Sequence, residues 1–233
     1  MKENILRIES LSKTYKKGRI KANDNITVQL YPSEITALIG HNGAGKTTLL
    51  KQIIGNVKPD SGRIIYNGVD LTKNTGFARS LVSIMPQFHV PLEGVSLKQS
   101  VEAMIRIKGA SEQEVHFCTK QILKELEIEK WSNASGNKLS GGLQRLTSFA
   151  MTVAYPSDIL LLDEPTNDVD PSRRKLVWKY MRKLAKRGHL VFVVTHNLLE
   201  VEQYADRYLL LDKGQMVHNA SLLDKRKEGR GEY

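Results

Sequence analysis

The sequence is short of several things. Its 233 residues include one cysteine, Cys118. No internal disulfide can form, and no Cys/His cluster stands at zinc-ligand spacing, so a disulfide scaffold and a zinc module are excluded. Long apolar runs are missing as well: the longest, residues 159–162 and 190–194, fall far below the ~18 residues that span a bilayer. The opening Met1-Lys2-Glu3-Asn4 has no apolar core of a secretory signal. Together these absences predict a soluble, cytoplasmic chain. Aromatic residues amount to only 6%, and none interleave with the basic clusters at 173–175, 182–183 and 186–187. The pattern of a single-strand nucleic-acid groove is therefore absent.

What remains is globular in composition, with 40% hydrophobic residues, 17 glycines and 26% charged residues. Such a chain is not a disordered one. Its length fits one large domain or a core with a subdomain. Thirty-five basic against 25 acidic residues leave a net charge of +10, which favours phosphates, nucleic acid or an anionic surface. Each basic cluster taken singly reads as a solvated helix face.

Short apolar runs alternating with helical periodicity predict an α/β protein. Residues 35–39 read as a buried strand ending at Gly40. Leu49, Leu50, Ile53 and Ile54 then recur at helical spacing up to Gly55. Residues 63–66 predict a strand closed by the Asn67-Gly68 turn signal. Runs 159–162 and 190–194 fit strands covered on both faces. Between them, Asp170 and Pro171 predict a helix start, with Leu176, Val177, Tyr180, Met181 and Leu184 facing inward up to Gly188. From about 90 to 137 the strand pattern stops and two helices are predicted. The second opens on the capping box Ser111–Glu114, with Val115, Cys118, Ile122 and Leu126 on one face. Cys118 is thus expected to be a small core residue. The chain divides on this reading into a core (1–89 and 151–220), an inserted helical unit (90–150) and a frayed tail (221–233).

The chemistry concentrates at three places. Gly40-His41-Asn42-Gly43-Ala44-Gly45-Lys46-Thr47 matches GxxxxGK[ST] in full, between a strand and a helix. Its glycines let backbone N–H groups converge on phosphate oxygens, Lys46 reaches the β/γ-phosphates, and Thr47 offers its hydroxyl to Mg²⁺. The helix start, with Thr48, turns its positive end to the anion. Run 159–162 next delivers Asp163 to a sheet edge, where one carboxylate suits Mg²⁺ directly or through water. The adjacent Glu164 is the candidate to orient or deprotonate an attacking water. Third, Leu139-Ser140-Gly141-Gly142-Leu143-Gln144-Arg145 places a serine and two glycines before a helix, a second anion site.

With that third motif the chain resembles the ATP-binding subunits of ABC (ATP-binding cassette) transporters, whose signature is typically LSGGQ. The resemblance covers essentially the whole chain in the family's order. It implies a P-loop NTPase core with a mostly parallel sheet, N-terminal antiparallel β elements and an inserted α-helical subdomain. It also implies ATP and Mg²⁺ as ligands, and a head-to-tail dimer in which Ser140, Gly141 and Gly142 of one chain cover ATP held by the other. The second cassette would be a copy of the chain or a paralogue, the further partner a membrane permease on whose cytoplasmic face the chain sits, and no nucleic acid is expected. By the same resemblance Tyr15 stacks on adenine, Gln87 senses Mg²⁺ beside the permease, residues 167–170 cross the dimer interface, and His196 contacts the γ-phosphate. The rings of His41, His89, His116, His189 and His218 match no such slot. The chain departs from the family at Leu143 (usually glutamine), at Asp168-Val169 (often small residues) and at Asn197 (commonly an acid). Lys138 before the signature and Thr166-Asn167 before the interface segment are similar to cassettes of ABC-2-type exporters. A cassette that acts without a permease, in cluster assembly or on DNA, would share every catalytic motif.

Overall fold

The computed structural model describes residues 4–15, 18–88, 90–91 and 93–222. Two sheets form its frame. The first is antiparallel, of order β2-β1-β4-β5, from β1 (Leu6–Tyr15), β2 (Ile20–Leu30), β4 (Ser61–Tyr66) and β5 (Val69–Asp70). The β4–β5 turn is Asn67-Gly68, both at positive φ (50° and 81°), as a tight hairpin requires. The second sheet contains β3 (Ile35–Ile39), β6 (Val82–Met85), β7 (Ile159–Asp163), β8 (Leu190–Val194), β9 (Arg207–Asp212) and β10 (Gln215–Ser221) in the order β10-β9-β3-β8-β7-β6. Only the β9–β10 pair in it is antiparallel.

The all-apolar strands are buried on both faces, and the two faces feed two cores. Leu160, Leu162, Val191 and Val193 join a core with the helices α3 (Leu97–Ile107), α4 (Glu112–Glu125), α5 (Gly141–Val153) and α6 (Pro171–Lys186). Ile159, Leu161, Phe192 and Val194 join the antiparallel sheet and α1 (Lys46–Ile53). The middle helices start where their caps say. Ser96 and Ser111 each accept a bond from the backbone N–H three residues on, and Gln99 and Glu114 bond back to the serine N–H. Asp170 caps α6 with Pro171 at its first position. Cys118 is half-buried against the larger core and its thiol is pushed up by burial, the expected structural role. Among the described residues no helix is long and apolar enough to cross a membrane.

Two expectations shift. Ser221 still belongs to β10, paired with Arg207, and Leu222 is buried with its N–H on the Asp206 carbonyl. The chain thus stays packed past 221, and 223–233 lie outside the described residues, as does His89. Helix α5 also runs unbroken across the boundary placed at 150. The short helices α2 (Thr75–Leu81) and α7 (Leu198–Tyr204) carry too few turns to leave a periodic signal.

Candidate active site

The phosphate loop is shaped by what its glycines forbid. At Gly45, φ is +107° and a Cβ would sit 2.0 Å from the Ala22 carbonyl oxygen; at Gly40 one would meet the Leu211 carbonyl oxygen at 2.3 Å. Neither position accepts a side chain. The Ala44 N–H closes the turn on the His41 carbonyl at 3.1 Å. Lys46 Nζ donates to the carbonyls of Gly40 (2.5 Å) and His41 (3.0 Å). The His41 ring points to Asp212, with Nε2 2.7 Å from Oδ1 and Nδ1 2.8 Å from the Asn42 carbonyl. Two acceptors on one ring favour imidazolium, and the Asn42 bond followed by the Asp212 bond raises its pKa. His41 therefore belongs to the loop through its backbone, and its ring braces it.

The loop borders a cleft of about 450 Å³, lined by Tyr15, Ile20 and Ala22, by Asn42, Gly43 and Gly45 to Thr48 of the loop and its helix, and by Gln87, Asp163 and Glu164. That volume is right for a nucleotide. Tyr15 is partly exposed with Lys13 Nζ 5.9 Å from its ring centre. The oxygen donors Thr47, Gln87 and Asp163 share the cleft, and such a donor set suits a hard cation such as Mg²⁺.

The acid pair is held with care. Asp163 ends β7, is buried, and its carboxyl is pushed up to about 6, first by burial and then by repulsion from Glu164. Glu164 has φ +52°, rare for a side chain bearing a Cβ. Three bonds enforce it: its N–H donates to the Val194 carbonyl (2.8 Å), while its own carbonyl accepts from Arg145 Nε (2.8 Å) and the Asn167 N–H (3.2 Å). Strain kept this way clusters at working sites. The result aims the carboxylate at His196, whose Nδ1–H donates to Oε1 at 2.9 Å.

Arg145 escaped the sequence reading. It is buried on α5, and besides Glu164 it donates to the carbonyls of Asp163, Pro86 (2.9 Å) and Gln87 (2.8 Å). One guanidinium thus ties α5 to both carboxylate residues and to Gln87. Burial lowers its pKa.

Ser140, Gly141 and Gly142 are not among the cleft-lining residues. Ser140 is the N-cap of α5, accepting from the Leu143 N–H at 3.4 Å, and the two glycines form the first helical turn rather than preceding it. Gly142 is pressed against the interface segment, where a Cβ would come 2.5 Å from the Asp168 carbonyl oxygen. The departures find local roles: Leu143 packs on the larger core, and Asn197 caps α7 by accepting from the Glu200 N–H at 3.2 Å. His189 bonds to the Ser157 carbonyl at 2.9 Å and His218 lies against Tyr208, both structural.

A sheet that brings a phosphate loop after β3 and an acid pair after β7 to one cleft defines a P-loop nucleotide-binding protein. The chain belongs to the ABC transporter family, whose profile matches residues 23–167. It is 34% identical over 193 residues to the Nod factor export ATP-binding protein I of Burkholderia lata, covering 83% of this chain and 63% of that one. It is 31% identical to the human ATP-binding cassette sub-family A member 6, over 98% of this chain and 14% of that one. The chain thus spans less than two thirds of either relative. A solved ATP-binding subunit of an ABC transporter superposes with a TM-score of 0.85 at 26% identity, over 98% of this chain and 95% of that one. A dimeric post-hydrolysis ATP-binding cassette bound to ADP and Pi gives 0.83 at 25%, over 93% and 98%.

The raised Asp163 carboxyl makes a prediction. The folded protein keeps that proton up to about pH 6, whereas an unfolded aspartate releases it near 3.9. Stability therefore falls as pH rises from about 4 to 6, and the full penalty, on the order of 3 kcal/mol before relaxation, stands above pH 6. Asp163→Asn removes it. In thermal denaturation without nucleotide, the variant is expected to melt about 6–12 °C higher than the wild type at pH 8 and nearly equally at about pH 3.5, below both pKa values. A gain of equal size at both pH values would mean that charge is not the cause.

Proposed function

We propose that the chain is the ATP-hydrolysing subunit of an ABC exporter and works with a separate membrane permease. The observation that carries this reading is the convergence of Lys46, Thr47, Asp163 and Glu164 on one nucleotide-sized cleft, with His196 bonded to Glu164, while the serine–glycine lip of the same chain is not part of the cleft lining. A nucleotide in the cleft gains that lip from a second cassette.

Each residue has its task. Tyr15 offers its ring to the base. The loop amides and Lys46 hold the β- and γ-phosphates. Thr47, Asp163 and Gln87 would hold Mg²⁺, which supplies charge neutralisation to the phosphates when bound. Glu164, braced by His196 and Arg145, orients a water and accepts its proton as the water oxygen bonds to the γ-phosphorus. The bond from that phosphorus to the bridging oxygen breaks, leaving ADP and phosphate. Ser140 and Gly142 of the partner cassette close on the triphosphate, and His196 meets the γ-phosphate. The relatives named for Nod factor export and for sub-family A support the exporter assignment and leave the cargo open.

The test is copurification from detergent-solubilised membranes with ATPase assays on the captured complex. A multi-spanning membrane protein that raises MgATP turnover is the expected result. Salt-sensitive DNA binding, or a stable soluble scaffold partner in its place, would contradict it.

A further inference from the structure

Glu200 is a buried carboxylate that the mechanism above does not use. It lies in α7, four residues after His196, and is 8% exposed. A buried charge is costly unless every lone pair finds a donor, and here the donors come from three separate places. Oε2 accepts from Thr166 Oγ1 at 2.8 Å and from Trp178 Nε1 at 2.7 Å. Oε1 accepts from Asn197 Nδ2 at 2.9 Å and faces Arg174 Nη1 at 3.4 Å. Arg174 in turn donates Nε to the Val169 carbonyl at 2.6 Å. The carboxylate therefore joins the interface segment, through Thr166 and Val169, to Asn197, the neighbour of His196.

These contacts close a circuit. Starting from Glu200, Thr166 leads along 166–169 to Asp168, whose carbonyl backs against Gly142 in the signature turn. Helix α5 carries on from Gly142 to Arg145, which holds the Glu164 carbonyl, and Glu164 Oε1 meets His196 Nδ1. Asn197 returns to Glu200. Within one chain the circuit passes the lip offered to the partner's nucleotide, the dimer-facing segment, and the carboxylate and histidine that serve the chain's own nucleotide.

We infer that Glu200 is a positioning residue that couples the dimer-facing segment to His196, so that closure of the partner cassette sets the geometry for hydrolysis in this one. The inference rests on the hydrolytic, two-cassette reading proposed above. It separates Glu200 from a residue that merely anchors α7 on α6, a task the stacked Trp178 and Tyr204 rings already perform at 5.3 Å.

The experiment compares Glu200→Gln, Thr166→Val and Trp178→Phe, each assayed for folding by thermal denaturation, for KM and kcat with MgATP, and for ATP-driven dimerisation in a Glu164→Gln background. Trp178→Phe removes one bond to Glu200 on the anchoring side and keeps a ring in place. It is expected to hold kcat within about 2-fold. Glu200→Gln and Thr166→Val are expected to keep KM within about 3-fold, to lower kcat at least 10-fold, and to weaken the ATP-bound dimer by a similar factor, since a misplaced positioning group acts on the transition state more than on substrate binding. If Glu200→Gln does not fold, Thr166→Val alone decides. Wild-type kcat in Glu200→Gln and Thr166→Val, or an equal loss in all three variants, would overturn the coupling role. Failure of the Glu164→Gln parent itself to bind ATP or to dimerise would instead strike the underlying functional reading, and the coupling role with it.

Discussion

Glu164→Gln is expected to slow phosphate release from MgATP by about 10²- to 10³-fold while ATP binding stays intact, because a positioned general base contributes on that order. The change is isosteric and keeps the framework. The Val194 and Arg145 bonds to the residue's backbone do not involve the side chain, so the +52° conformation is held as before. The glutamine oxygen still accepts from His196. What is lost is the ability to take up a proton, and single-turnover quench-flow reads that loss directly. Hydrolysis at the normal rate would require another base, and among the residues lining the cleft Asp163 is the other carboxylate.

Arg145→Ala is expected to cost about 3–5 kcal/mol in urea denaturation and to lower turnover more than 10²-fold. The guanidinium donates to the carbonyls of Pro86, Gln87, Asp163 and Glu164, and its loss takes this donor from all four, of which the Glu164 carbonyl keeps the Asn167 N–H. The catalytic effect has a separate origin. Without Arg145 the strained backbone of Glu164 loses one of its three restraints and Gln87 loses its tie to the acid pair. Arg145→Lys keeps the charge but not the planar fork. It is expected to recover part of the stability and less of the activity, and a variant in which both return together would show that only charge matters. An alanine variant within about 1 kcal/mol of the wild type would contradict the structural account altogether.

The part of this site that is legible in the sequence is the part whose chemistry fixes residue identity at close spacing. Phosphate geometry demands glycines, a lysine and a hydroxyl within eight residues, and 40–47 announces itself. Asp163 and Glu164 stand out because they end an all-apolar strand. Arg145 and Glu200 are silent for the opposite reason. Arg145 bonds to backbone carbonyls 18 to 59 residues away, and a carbonyl leaves no mark in the sequence. Glu200 occupies a short helix where a polar residue looks solvated, and its Thr166 partner is 34 residues distant. His196 was placed by resemblance, since a lone histidine after a strand has no signature of its own. The same logic governs the fold. The doubly buried strands and the capped helices α4 and α6 were readable. The mixed burial of β9 and β10 and the short α2 and α7 gave no periodicity to count.

Enclosure of the nucleotide by two cassettes is read from the molar mass of the Glu164→Gln protein by light scattering, with and without saturating MgATP. The expected result is the mass of one chain without nucleotide and twice that mass with it, reverting to one chain when Ser140 is replaced by tyrosine. A single-chain mass under saturating MgATP, in a protein that demonstrably binds the nucleotide, would contradict the enclosure and with it the role given to the Ser140–Gly142 lip.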